Sequence, residues 1–140
     1  MERRALQIIN AALALATIGL GALQLLAGSA SPVYADLALP TSPLLDSNLR
    51  FFGGLALGIG ITLLLITPRI ERYSMLFTTC WACAFLGGVG RALSWASMGT
   101  PSLPLAAFTV IEVLGAPALI VWQRRVARTS SPLPAHAAGA

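Results

Sequence analysis

The chain has no lysine, one histidine, two cysteines and, over 140 residues, only 10% charged residues. Each shortage excludes something. A soluble domain of this length carries about 25% charged residues, so a soluble globular fold is not expected. The net charge of +4 comes from nine arginines. They are not spaced in stripes with aromatics between them, so nucleic acid is not the expected partner. One histidine leaves no Ser/His/Asp set, and two cysteines are too few for a structural zinc site. No phosphate-cradling loop is present. No metal and no cofactor are therefore expected.

What the chain has instead is apolar length. Residues 6–27 are apolar apart from Gln7, Asn10, Thr17 and Gln24. Residues 51–67 hold no charge, residues 75–95 hold only Arg91, and residues 103–122 hold only Glu112. At about 1.5 Å per residue these runs reach about 25–33 Å, the thickness of a hydrocarbon core. The expectation is an all-α integral membrane four-helix bundle. Residues 1–128 form one domain, and residues 129–140, Ser/Pro/Ala-rich and containing His136, form a disordered tail. The first run also resembles a signal peptide, with Arg3 and Arg4 before it. It is longer than the usual h-region of about 7–15 residues and is read as a retained helix.

Arginine bias sets an expected orientation. Arg3, Arg4, Arg69, Arg72, Arg124, Arg125 and Arg128 fall on one side of four crossings; Asp36, Asp46 and Arg50 fall on the other. Both termini are thus expected in the cytoplasm; the Ala- and Arg-rich, Lys-free composition suggests a GC-rich bacterial genome, and with it the inner membrane. Tyr34 and Trp95 then lie near the outer interface, Tyr73 and Trp122 near the inner one. Between runs one and two, residues 28–47 read as an ordered outer loop, and Asp46, Ser47 and Asn48 are good N-cap types before the second helix. Gly99-Thr100-Pro101-Ser102 reads as a tight turn, and Pro104 suits the first turn of the fourth helix. Pro117 inside the fourth run predicts a kink, because it removes the hydrogen bond to the carbonyl of Val113.

Intramembrane charge marks the candidate site, since ionisable groups in lipid face one another or a cavity. Arg91 lies about 24 Å from the inner end of its run and Glu112 about 14 Å from the outer end of its own, a depth difference of about 10 Å. With Arg50 at the outer mouth, and Asn48 and Ser94 nearby, they predict one outward-opening polar cluster. Two roles stay open for it: a structural pair that fixes helix register, or a ligand or proton site. Gly53, Gly54, Gly58 and Gly60 in run two, with Gly54 and Gly58 as a GxxxG pair, and Gly87, Gly88 and Gly90 in run three predict close helix packing. A homo-oligomer face is the alternative. Cys80 and Cys83 spell Cys-Trp-Ala-Cys, which invites a thiol–quinone oxidoreductase. Such chemistry needs a low-pKa thiolate and a second dithiol; only one pair is present, mid-helix, with no His or Lys nearby, and it reads as small apolar packing.

The order Asn48-Leu49-Arg50-Phe51-Phe52-Gly53-Gly54, then Gly58 and Gly60, then Gly87-Gly88-Val89-Gly90-Arg91, then Gly99-Thr100-Pro101-Ser102 and Glu112 resembles a bacterial family of small four-helix membrane proteins, domain of unknown function 4345. The resemblance covers Asn48 to about Trp122; run one is similar in hydropathy alone. Met98 stands where that family often has an acidic residue. The resemblance implies the four-helix membrane fold and makes Arg50, Arg91 and Glu112 the site candidates, without an activity. The expected function is a non-enzymatic binding or accessory role in the bilayer, with an outward-facing polar pocket for a small amphipathic ligand or a membrane protein partner. The alternatives are the oxidoreductase and a small proton-coupled transporter using Glu112.

Overall fold

The computed structural model describes residues 1–35 and 39–130. Its elements are helices: α1 (Glu2–Ala27), α2 (Pro43–Ile66), α3 (Ser74–Met98), α4 (Leu103–Val110) and α5 (Ala116–Ser130). A π-helical turn, Ile111–Gly115, joins α4 to α5, so Leu103–Thr129 runs as one helix, and short 3-10 turns follow α1 and α2. The chain is therefore all-α, with four helices each long and apolar enough to cross a membrane. Large apolar side chains such as Leu15, Leu55, Leu65, Leu86, Leu93 and Leu114 point outward. Water would make that surface costly, at about 25 cal/mol for every Å².

The chain divides into two compact units, one of residues 7–68 and one of residues 1–6 with 69–140. In the first, α1 and α2 pack with backbones in near contact. A Cβ on Gly21 would lie 2.6 Å from the Leu57 nitrogen, and one on Gly60 would lie 3.0 Å from the carbonyl oxygen of Ala14. A Cβ on Gly53 would be equally constrained, 2.9 Å from the Gly21 oxygen. The polar residues of α1 satisfy the carbonyls that the end of α2 leaves without helical partners. Asn10 Nδ2 donates to the Leu63 oxygen at 3.1 Å and to Thr67 Oγ1 at 2.8 Å. Gln7 Nε2 donates to the carbonyls of Thr67 and Pro68.

In the second unit α3 packs against the helix Leu103–Thr129, and Leu6, Ile70, Phe77, Ala116, Leu119 and Val126 are buried. Gly99, at φ +99°, ends α3 and donates its N–H to the Trp95 oxygen. Pro104 sits in the first turn of α4, as its fixed φ favours.

Three boundaries differ from the sequence reading. Helix α2 begins at Pro43, eight residues before the apolar run. Its N-cap is Ser42, whose side chain accepts from the Leu45 N–H, with Pro43 in the first turn. Asp46, Ser47 and Asn48 are inside the helix rather than ahead of it. Helix α3 continues three residues past Trp95, to Met98. Thr129 and Ser130 belong to α5; the rest of the expected tail, with His136, and Asp36 lie outside the described residues.

Candidate functional site

Glu112 sits on the π-helical turn. The Ala116 N–H bonds to the Ile111 oxygen five residues back, which widens the helix by one residue just before Pro117. The proline lacks an N–H and its ring needs the space of the preceding turn. The expected kink is thus realised as a π bulge, the kind of local widening that frequently occurs at functional sites.

The bulge carries Glu112 onto α3. A Cβ on Gly88 would lie 2.6 Å from Glu112 Cβ and 3.2 Å from its carbonyl carbon. Only glycine fits there, and that close approach sets the carboxylate beside Arg91, one turn further along α3. Arg91 Nε lies 3.0 Å from Glu112 Oε2. Because α3 runs on to Met98, Arg91 is about 10 Å along the helix from the turn end and Glu112 about 14 Å from Leu103. The depth difference shrinks from the expected 10 Å or so to a few ångströms.

Glu112 Oε2 is shut off from solvent and receives no well-directed hydrogen bond. The contact is therefore an ion pair of two charges rather than a linear N–H···O bond. The Arg91 side chain remains 46% exposed. A guanidinium has five N–H donors, and those on its two Nη atoms have no hydrogen-bond partner among the described residues.

Arg50 has a different setting. Its Nε lies 2.7 Å from Asp46 Oδ2, one helical turn earlier. Its Nη1 donates to the carbonyls of Leu25 at 3.1 Å and Leu26 at 2.6 Å, in the last turn of α1. Asp46 Oδ1 accepts from the N–H and the hydroxyl of Ser29. Gly28 makes the turn between them at φ +56°, where a side chain would collide with Asp46 and Arg50. Arg50 is thus a clamp on a helix C-terminus, where orphan carbonyls and the helix dipole favour a cation. Its partners, and those of Arg91, lie within their separate units. Asn48 is exposed on α2, and Ser94 is exposed one turn beyond Arg91.

The glycines divide in an unexpected way. Gly53 is at a backbone contact and Gly54 at an ordinary one, with Leu25 Cδ1 at 3.6 Å. Gly58, Gly87 and Gly90 have open space where a side chain would go, and the close contacts fall at Gly53, Gly60 and Gly88, with Gly21 of α1 added to those the sequence marked. Cys80 is buried and Cys83 exposed, both as free thiols. Sequence reasoning passed over Gln123. It is fully buried, its Nε2 donates to the Ile70 oxygen at 2.9 Å and to Ser74 Oγ at 2.8 Å, and its Oε1 has no partner. Unlike Asn10, a polar residue inside an apolar run, Gln123 follows the last residue of its run and precedes Arg124 and Arg125, so the sequence carried no signal that it is buried.

These features define a class: all-α proteins with four helices long and apolar enough to cross a membrane, carrying an ion pair within the apolar length of two of them. The family whose pattern the chain matches is described as Domain of unknown function (DUF4345), over residues 5–123, and the chain belongs to it. The match takes in the first helix, which Asn48–Trp122 did not. Comparison with curated proteins and with solved structures gave no match.

Proposed function

We propose that this is a non-enzymatic protein of the bacterial inner membrane, with both termini cytoplasmic, which holds the oxygen-bearing head of a small amphiphile at Arg91. Arginine bias supports the orientation: seven arginines lie on the side of the termini. The observation that carries the binding reading is the Arg91 guanidinium. It lies well inside an apolar helix, is neutralised on one side by Glu112, and is half exposed, with no hydrogen-bond partner for its Nη donors among the described residues. Unused donors in hydrocarbon are costly, and an oxygen-rich headgroup satisfies them. Because Glu112 balances the charge, the site suits a neutral or zwitterionic head whose oxygens accept hydrogen bonds. The surrounding apolar helix faces take the tail.

The test is extraction of the purified wild type and the R91M/E112L variant in the same detergent, with the co-purifying amphiphiles identified by mass spectrometry. The expected result is one species present at near one per chain in the wild type and lost from a folded R91M/E112L protein. Identical profiles would overturn the reading.

A further inference from the structure

The end of the second unit opposite the Gly99 turn gathers arginines from three remote stretches: Arg3 and Arg4, Arg69 and Arg72, and Arg124, Arg125 and Arg128. Two contacts tie these stretches together. Arg3 Nη2 lies 3.1 Å from Glu71 Oε1, and buried Gln123 bonds to Ile70 and Ser74. Against seven arginines stand two acids, Glu2 and Glu71, and Glu71 is engaged by Arg3.

One flank of α5 carries a groove of about 390 Å³, lined by Pro117, Ala118, Val121, Trp122 and Arg125. Pro117, Ala118 and Val121 are exposed, and Arg128 follows Arg125 at i+3 on the same stripe. The side chains of Arg125 and Arg128 have no ion-pair partner among the described residues. Measured from Leu103 at about 1.5 Å per residue, Pro117 is about 21 Å along the helix, Trp122 about 28 Å and Arg125 about 33 Å. A hydrocarbon core is about 30 Å thick. The apolar part of the groove therefore lies at acyl depth, the tryptophan at the boundary where such rings settle, and the arginines at headgroup depth.

We propose that this groove is a binding site for one anionic phospholipid, with an acyl chain along Pro117, Ala118 and Val121 and the phosphate held by Arg125 and Arg128. Charge complementarity selects the occupant: unlike the balanced Arg91–Glu112 pair, this end is strongly cationic. Two guanidiniums at i and i+3 converge on one phosphate, for which arginine geometry is suited. The site is separate from the one at Arg91 and stands whether or not that one binds a ligand.

The test is native mass spectrometry of the full chain in a neutral detergent, titrated with dioleoyl-phosphatidylglycerol or dioleoyl-phosphatidylcholine. The wild type should bind one phosphatidylglycerol in preference to phosphatidylcholine. R125Q/R128Q should bind it about 30-fold more weakly, as expected for two arginines lost near a lipid surface. The charge-matched R4Q/R69Q should weaken it far less. A118F fills the acyl part of the groove without touching a charge and should also abolish the preference; it decides the question if R125Q/R128Q does not fold. Equal loss from both charge pairs, equal binding of the two lipids, or unchanged binding by A118F would overturn the proposal.

Discussion

Breaking the Arg91–Glu112 pair from one side should cost far more than removing it whole. The perturbations are Arg91→Met, Glu112→Leu and both together. At 3.0 Å and an effective dielectric constant of about 20, two unit charges attract by about 5–6 kcal/mol before desolvation is subtracted. Removing one partner of a fully buried pair costs about 3–5 kcal/mol. Here the side chains are 46% and 24% exposed, which places each single substitution nearer 2–3 kcal/mol. The double variant leaves no orphan charge and adds apolar volume, so it should recover at least half of the summed loss. The assay is equilibrium unfolding by SDS titration from neutral-detergent micelles, followed by helicity. The coupling energy is read from the four proteins, and residues in direct contact give about 0.5–3 kcal/mol. Losses that add to within about 0.5 kcal/mol would refute the pairing.

Gly88→Ala should cost about 1–3 kcal/mol in the same titration, because its methyl group meets the Glu112 backbone and Cβ, while Gly87→Ala and Gly90→Ala should be neutral or stabilising; equal losses at all three would contradict the seam. Arg50→Met should cost about 1–2 kcal/mol by stripping a cap from α1, and hydrogen exchange should quicken locally around 25–31 where the clamp acts; unchanged protection there would count against it. Cys80→Ala with Cys83→Ala should leave the helix content unchanged, and the wild type should show no redox-dependent shift in gel mobility; a shift that the variant lacks would favour thiol chemistry. A periplasm-active reporter should be active when fused at Pro40 and silent at Ala140, and the reverse pattern would invert the orientation.

The four helices were legible because uninterrupted apolar length is a strong signal and tolerates errors at its ends. The ends were where it failed. Hydropathy places the start of α2 at Phe51, since Asp46, Ser47, Asn48 and Arg50 are polar. A helix continues through polar residues once its N-terminus is capped, and Ser42-Pro43 caps it. That extension hid the Asp46–Arg50 pair, which is visible as an i,i+4 spacing only inside a helix. The partners of Arg50 within its unit, its own neighbour Asp46 and the end of α1, were therefore not read from the sequence. Arg91 and Glu112 were legible as charges in apolar runs, but their proximity depends on a π turn. No residue spells that turn; Pro117 signals a perturbed helix without saying whether it bends or widens. The glycine motif misled for a related reason: GxxxG marks a flat face, and which face meets a neighbour depends on helix rotation. Gly53 and Gly60, seven apart, share the seam, while Gly58 is turned away from it.

The central claim is that Arg91, braced by Glu112 on the π turn, holds a ligand headgroup at membrane depth. An experimental structure of the wild-type protein in lipid nanodiscs tests it most directly. The account predicts that the pair lies within the hydrocarbon slab and that non-protein density ends in a polar group within hydrogen-bond distance of the Arg91 Nη atoms. A pair lying outside the slab in bulk water, or guanidinium donors surrounded by acyl chains alone, would contradict it.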